Sequence, residues 1–235
     1  VRAIVVATPT HLHREVVEAA LAAGKHVFCE SPLAASVADA KAIVQAARAA
    51  QTVFHVGLQG RTNPVYKLAR SFVKSGALRD RVALRAQWNR KTSWRFGASD
   101  PAREKRLNWR LDPEVSLGLP GEVGSQQLDT LAWFLGGYPA KVRGRGAVHH
   151  HKDGRTIADT VQLEFTFPDE LALQYEASLA SSYAGSYELL RGSNATVKLA
   201  DTHAWMFKEA DSPTQGWEVY ANRQRFHNDE GITLI

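Results

Sequence analysis

The sequence predicts an α/β unit followed by an α+β domain with a mainly antiparallel, open sheet. Three observations carry that reading. Residues 1–56 alternate short β-branched runs with helical patterns, as parallel strands joined by crossover helices do. From Arg81 the apolar period changes to two, the pattern of a strand with one buried face. From Lys141 onward short alternating runs are separated by compact turn signals, so sequential strands are expected to pair antiparallel.

Residues 1–7 are apolar apart from Arg2 and read as a strand buried on both faces, stopped by Thr8-Pro9-Thr10. A helix is expected over 13–23, with Val16, Val17, Ala20 and Leu21 at helical spacing, Thr10 as its cap and Gly24 at its end. Residues 26–29 form a second strand, closed by Glu30-Ser31-Pro32. Strand, helix and strand within about thirty residues make a βαβ unit, whose ligand loops lie at the carboxyl ends of the strands. Thr8-Pro9-Thr10 and Glu30-Ser31-Pro32 are those loops, and they are expected to face one pocket. Ser36 caps a helix running to residue 50 with a stripe of Ala40, Ile43, Val44 and Ala47. Residues 53–56 are a third strand, and 63–74, with Pro64 in its first turn and Gly76 after its end, a linking helix. The first domain is placed at 1–60 and the second at 61–235.

In the second domain Val82, Leu84, Ala86 and Trp88 are expected inside and Ala83, Arg85 and Gln87 outside. Residues 89–121 read as a long irregular loop, ordered because it is rich in tryptophan. Residues 121–135 read as one helix, ended by Gly136-Gly137. Strands follow at 141–148, 156–167, 171–179, 187–191, 195–199 and 205–208.

The chain has 235 residues, 44% of them hydrophobic, enough for a substantial core in one large or two modest domains. Its net charge of +5 suits an acidic ligand such as a pyrophosphate or a sugar acid. The basic residues are scattered, and the densest group, 103–110, is interrupted by Glu104, Asn108 and Trp109. A nucleic-acid surface shows a stripe or a tail, so no nucleic-acid partner is expected. No apolar run approaches the roughly 20 residues of a membrane-spanning helix, so none is expected in a membrane. Cys29, the single cysteine, permits no internal disulfide and reads as a core residue. That thiol usage fits the cytoplasm, with export left open.

Residues 7–34, ATPTHLHREVVEAALAAGKHVFCESPLA, resemble the Gfo/Idh/MocA family of nicotinamide-dinucleotide oxidoreductases. The family pattern there is Ala-Thr-Pro, a histidine a few residues on, Gly-Lys-His-Val and Glu-Lys-Pro. This chain matches it except at Ser31, which stands where the family has lysine. The resemblance implies NAD or NADP as cofactor, held by Thr8, Pro9, Thr10, His13, Glu30, Ser31, Pro32 and Gln59. It implies a sugar, inositol or related polyol as substrate, the C-terminal half of a Rossmann domain in the first part, and an open sheet that serves substrate binding and homo-oligomerisation in the second. A complete domain of this kind opens with a strand, a G-x-G-x-x-G turn and a helix. The glycine clusters at 118–124, 136–137 and 144–146 do not fit that role, so an N-terminally incomplete copy of a longer protein is expected. The residue that separates NAD from NADP lies in the other half.

Residues 116–129, SLGLPGEVGSQQLD, carry a second resemblance: in relatives a glycine-rich turn, an acidic residue, glycine, histidine and aspartate. Glu122, Gln126 and Asp129 are spaced four and three apart, which places them on one face of a helix. In catalytic relatives the histidine takes the hydroxyl proton as hydride leaves for the nicotinamide, and the lysine of the first motif polarises the same oxygen. Those two positions are Gln126 and Ser31 here. An amide accepts no proton at working pH, and a serine hydroxyl is a hydrogen bonder unless a base activates it. Three readings follow. Glu122 or Asp129 serves as base in a dehydrogenase, the chain binds sugar or cofactor without turnover, or a tightly held NAD supports another reaction such as glycoside cleavage.

Gln59 and Arg61, just past the third strand, are where the resemblance implies contact with nicotinamide and substrate. Trp94, Arg95, Asn108, Trp109 and Arg110 form an arginine and tryptophan group suited to a polyol or a carboxylate. His149-His150-His151 with Asp153 is not expected to bind metal, because adjacent residues on a strand point to opposite faces.

Overall fold

The computed structural model describes residues 1–200, 202–214, 216 and 218, with the backbone of two further strands at 222–226 and 229–234. The chain forms two compact units. The first comprises Val1–Leu58, Thr92–Gln126 and Val148–Ala158, and the second Gln59–Lys91, Gln127–Ala147 and Asp159–Ile235.

In the first unit β1 (Ala3–Val6), β2 (His26–Glu30) and β3 (Phe54–Gly57) make a parallel sheet in that order. Parallel neighbours need crossover connections, supplied by α1 (His13–Ala22) and α2 (Val37–Ala49). Val6, Val27 and Cys29 pack with Val17, Ala20, Leu21 and Ile43 in one core cluster. The Ser36 hydroxyl caps α2, accepting from the Asp39 N–H at 3.0 Å. Gly24 leaves α1 at φ +66°, a left-handed conformation that glycine adopts without steric cost.

Three expectations fail here. Thr10 does not cap α1: it opens a 3-10 turn, Thr10–Leu12, and Leu12 takes the N-cap position without a side-chain bond. β1 is not buried on both faces, because the helices cover only its Val6 side and leave Val5 70% exposed. Val44 points outward from α2, and Ala46 joins Ala47 and Ala50 against the core instead.

After β3, α3 (Gln59–Thr62) and α4 (Pro64–Lys74) lead into β4 (Arg81–Asn89) of the second unit. Asn63 caps α4, its side-chain oxygen accepting from the Val65 and Tyr66 N–H groups. The segment expected to be irregular holds α5 (Pro101–Leu107), a 3-10 turn at Trp109–Leu111 and α6 (Gly118–Glu122). The helix expected over 121–135 is two helices. α6 ends at Val123, which has φ −120°, and α7 (Gly124–Leu135) follows. Gly118, Pro120, Gly121 and Gly124 are poor helix formers, and they set the break.

The second unit is built on one sheet. β4 joins β5 (Lys141–Ala147), β6 (Thr160–Thr166), β7 (Ala172–Ser178), β8 (Ser186–Gly192), β9 (Ala195–Ala200), β10 (His203–Lys208), β11 (Asn222–Phe226) and β12 (Asp229–Leu234). The order is β11-β12-β10-β9-β8-β4-β7-β6-β5, antiparallel except for the β4–β7 pair. One face buries Leu84, Leu173, Tyr175, Leu190, Val197 and Met206. The opposite face presents Arg143, Arg145, Gln162 and Gln174 to solvent. Two expectations on β4 fail. Gln87 is buried, its amide donating to the Tyr183 carbonyl at 2.9 Å. Val82 is exposed, where the β4–β8 register shifts between Arg81 and Ala83. Among the described residues no helix is long and apolar enough to cross a membrane.

Gly192 marks a close approach of backbones: a Cβ there would lie 2.6 Å from Leu78 Cβ and collide with the Leu78 carbonyl. Gly192→Ala is expected to cost about 1–3 kcal/mol, the usual range for overpacking. Urea unfolding checks this, and a midpoint equal to wild type would mean that the Leu78 segment yields freely.

Candidate active site

The β-to-α loops of the first unit lie at the carboxyl ends of its parallel strands. His13, at the start of α1, is 2% exposed. Its imidazole lies between two carbonyls, with Nε2 2.9 Å from Thr8 and Nδ1 3.2 Å from Leu33. The ring therefore ties the loop after β1 to the chain leaving the loop after β2. His13, expected to touch cofactor, is a buried brace instead. Thr8 stays exposed and Pro9 half-buried, while Thr10 is turned inward. Glu30, Ser31 and Pro32 are half-buried at the end of β2, and the Ser31-Pro32 peptide is cis. Gly57 closes the same edge, because a Cβ there would sit 2.7 Å from Glu30 Oε2.

The amide of Gln126 donates to the Ser31 hydroxyl oxygen at 2.6 Å and to the Gly57 carbonyl at 2.7 Å. The two residues that stand at the histidine and lysine positions of the family pattern are thus bonded to each other. Both donor hydrogens of the amide are engaged, and Ser31, as acceptor, keeps its own hydrogen to donate. The pair can orient and polarise an oxygen. It has no group that takes up a proton near neutral pH.

Glu122 can. Its side chain is 3% exposed, and its Oε1 accepts from the Leu117 N–H at 3.3 Å. Burial pushes this carboxyl above its ordinary pKa, opposed by the Leu117 bond, the Arg110 and His13 charges and a hydrogen bond with Thr10. Glu122 thus lies against Thr10 of the first loop. The break after α6 removes the continuous helical face expected for Glu122, Gln126 and Asp129.

Asp129 belongs to the second unit with Gln59 and Arg61. Arg61 donates to both Asp129 oxygens, at 2.8 and 2.7 Å. Both Asp129 oxygens are occupied by that fork, so the expected base is turned to Arg61, and Arg61 is engaged within its own unit. Gln59 opens α3, its carbonyl accepting from the Thr62 hydroxyl at 2.9 Å.

The expected arginine and tryptophan group divides. The Asn108 amide donates to the Phe96 and Glu104 carbonyls at 2.8 and 2.9 Å and accepts from the Phe96 N–H at 2.8 Å. It is a buried loop clamp, which corrects its expected substrate role. Arg95 donates to Asp153 at 2.7 Å. Arg110 lies over the Trp109 ring, 4.5 Å from the centroid, and 5.8 Å from that of Trp94. Its Nε is 3.8 Å from Glu122 Oε2. Sequence reasoning missed Arg155, whose side chain is fully buried and donates to Asp153 at 2.6 Å and to the Ser93 carbonyl at 2.8 Å. Those hydrogen bonds hold Asp153 well below the usual carboxylate range. An arginine beside a turn signal gives no sequence cue to burial. Cys29 is buried as expected, which pushes its thiol up to about 11 and keeps it unreactive.

Residues 1–58 match the family model described as "Oxidoreductase family, NAD-binding Rossmann fold", and residues 66–198 match the "GFO/IDH/MocA C-terminal domain". The chain belongs to the Gfo/Idh/MocA family. It is similar to the levoglucosan dehydrogenase of Pseudarthrobacter phenanthrenivorans, 29% identical over 136 residues that cover 57% of this chain and 33% of that protein. It is also similar to the 1,5-anhydro-D-fructose reductase of Ensifer adhaerens, 33% identical over 189 residues, 78% of this chain and 52% of that protein. The chain thus spans a third to a half of the length of these curated relatives. A solved levoglucosan dehydrogenase in complex with NADH and levoglucosan shares the fold, with a TM-score of 0.75 at 20% identity over 99% of this chain and 60% of that one.

The raised Glu122 carboxyl has a signed consequence. Between the ordinary value of 4.5 and the higher folded value, the native state binds more protons than the unfolded state, so stability falls as pH rises through that window. Glu122→Gln keeps an oxygen for the Leu117 N–H and removes the buried charge. It is expected to melt higher than wild type at pH 8, with the difference vanishing below about pH 4. Thermal melts across pH check this, and a difference independent of pH contradicts it.

Proposed function

We propose that this protein is an NAD(P)-dependent oxidoreductase acting on a sugar, inositol or related polyol by hydride transfer. The observation that carries the reading is the company kept at the strand ends of the first unit. Two loops positioned for a nucleotide, a neutral hydrogen-bonding pair and a buried carboxyl belong to the same compact body. The names of the relatives, a dehydrogenase and a reductase, point the same way.

The residues fit a dinucleotide. Thr8 and Pro9 reach solvent at the end of β1, and Glu30, Ser31 and Pro32 are partly open at the end of β2, the edge where open parallel sheets take nucleotides. The bound nicotinamide supplies the hydride acceptor. Ser31, oriented by Gln126, donates its hydroxyl hydrogen to the reacting oxygen of the substrate. Glu122 receives the proton released as the carbinol O–H becomes a carbonyl, with Thr10 of the first loop against that carboxyl. Homo-oligomerisation through the open face of the second sheet and a cytoplasmic setting belong to the same reading.

Titration of the full-length protein with NADH and with NADPH, followed by nicotinamide fluorescence, tests the cofactor assignment. Saturable binding of one of them is expected, and binding of neither sinks the reading. A second test restores the family pair. Ser31→Lys combined with Gln126→His is expected to raise kcat about tenfold or more, at the lower end of what a positioned proton acceptor contributes. A silent double variant would show that proton transfer at these two positions does not limit turnover.

A further inference from the structure

The arginine and tryptophan group contains one guanidinium that is fixed yet chemically open. Among the described residues, Arg110 forms no hydrogen bond through its guanidinium. It is held by the Trp109 and Trp94 rings and by the 3.8 Å approach to Glu122, which is longer than a hydrogen bond. Its neighbours are differently engaged. Arg95 is paired with Asp153, and Asn108 is closed on the Phe96 and Glu104 backbone. Arg155 secures the Trp94 wall from both sides. It binds the Ser93 carbonyl that precedes Trp94, and its partner Asp153 binds Arg95, which follows. Trp94 itself sits at φ +57°, a conformation uncommon outside glycine, so its position depends on that anchoring. The other wall, Trp109, lies 5.9 Å from His11, next to the Thr10 that bonds Glu122.

We propose that Arg110 reads a carboxylate, and that the substrate of the reaction is a sugar acid, an aldonate or a uronate, rather than a neutral sugar. The inference rests on the oxidoreductase reading and sharpens it. A guanidinium presents its N–H donors in a planar fork that matches a carboxylate, and charge-assisted bonds of that kind are about twice as strong as neutral ones. Indole faces hold the plane of the fork without using its donors. A hydroxyl group would only solvate the charge, whereas a carboxylate neutralises it.

The test is isothermal titration calorimetry on the full-length protein, with and without saturating NADH. The probes are D-glucuronate, D-gluconate, D-glucose and D-glucose 6-phosphate. At least one of the two acids is expected to bind tenfold or more tightly than glucose. Arg110→Gln should weaken that acid by about ten- to a hundredfold, the scale of losing a charged hydrogen-bond partner, and weaken glucose far less. Arg110→Lys should recover part of the loss, and equal melting temperatures show that the variants fold. Glucose or the phosphate binding more tightly than both acids overturns the proposal, as does an equal loss for acid and glucose in Arg110→Gln. Acid binding that depends on Arg110 without any cofactor binding upholds the subsite and removes the oxidoreductase reading. Cofactor binding with a preference for the neutral sugar does the reverse.

Discussion

The edge of the first unit depends on one buried imidazole. Parallel strands oblige the chain to cross over between them, and the crossovers gather every β-to-α loop at the carboxyl ends. Such loops carry backbone carbonyls that lose water as the helices close over them, and leaving one unpaired costs about 1–3 kcal/mol. The His13 ring lies within reach of two of them, Thr8 and Leu33, and a single ring N–H serves one or the other. The loop after β1 and the exit from the loop after β2 therefore hold one geometry. Ser31 and the inward-facing Thr10 lie within that bracket.

The electrostatics of the site follow from what surrounds Glu122. A carboxyl buried this deeply is discouraged from ionising, and the Leu117 N–H, Thr10, His13 and Arg110 offset part of that penalty. Arg110 is poised to interact with the carboxyl without forming a closed pair with it. The contrast with Arg61 and Asp129 is instructive. There the bidentate contact is complete, and the two charges define structure. The Ser31–Gln126 pair adds no charge, so the ionisable balance at the strand ends is set chiefly by Glu122 and its partners.

Local signals in the sequence predicted much of this architecture. The cap at Ser36, Pro64 in the first turn of α4, the turn at Gly24 and the alternation along β6 and β9 are consequences of a few adjacent residues, and the structure contains them. The failures of burial share a cause. Val5, Val44, Val82 and Gln87 have the side-chain chemistry assumed for them, but exposure depends on which face another element covers. The tail of β4 shows this clearly. Gln87 alternates with buried apolar residues as a solvent-facing residue would, yet the backbone around Tyr183 closes over it.

What the sequence determined by itself was the alternation of the first three strands with their helices, most strands of the second sheet and the two motifs that mark the family, because periodicity, capping and turn chemistry act within a few residues. Tertiary structure alone decided the roles of the side chains. Gln126 meets Ser31 across 95 positions, and Arg61 meets Asp129 across 68. Asn108 proved to be a clamp, Arg155 a buried anchor and Arg110 an open fork. Hydrogen-bond partners and burial are set by which distant segments the topology brings within about 3 Å of one another, and no local pattern in a chain encodes that distance.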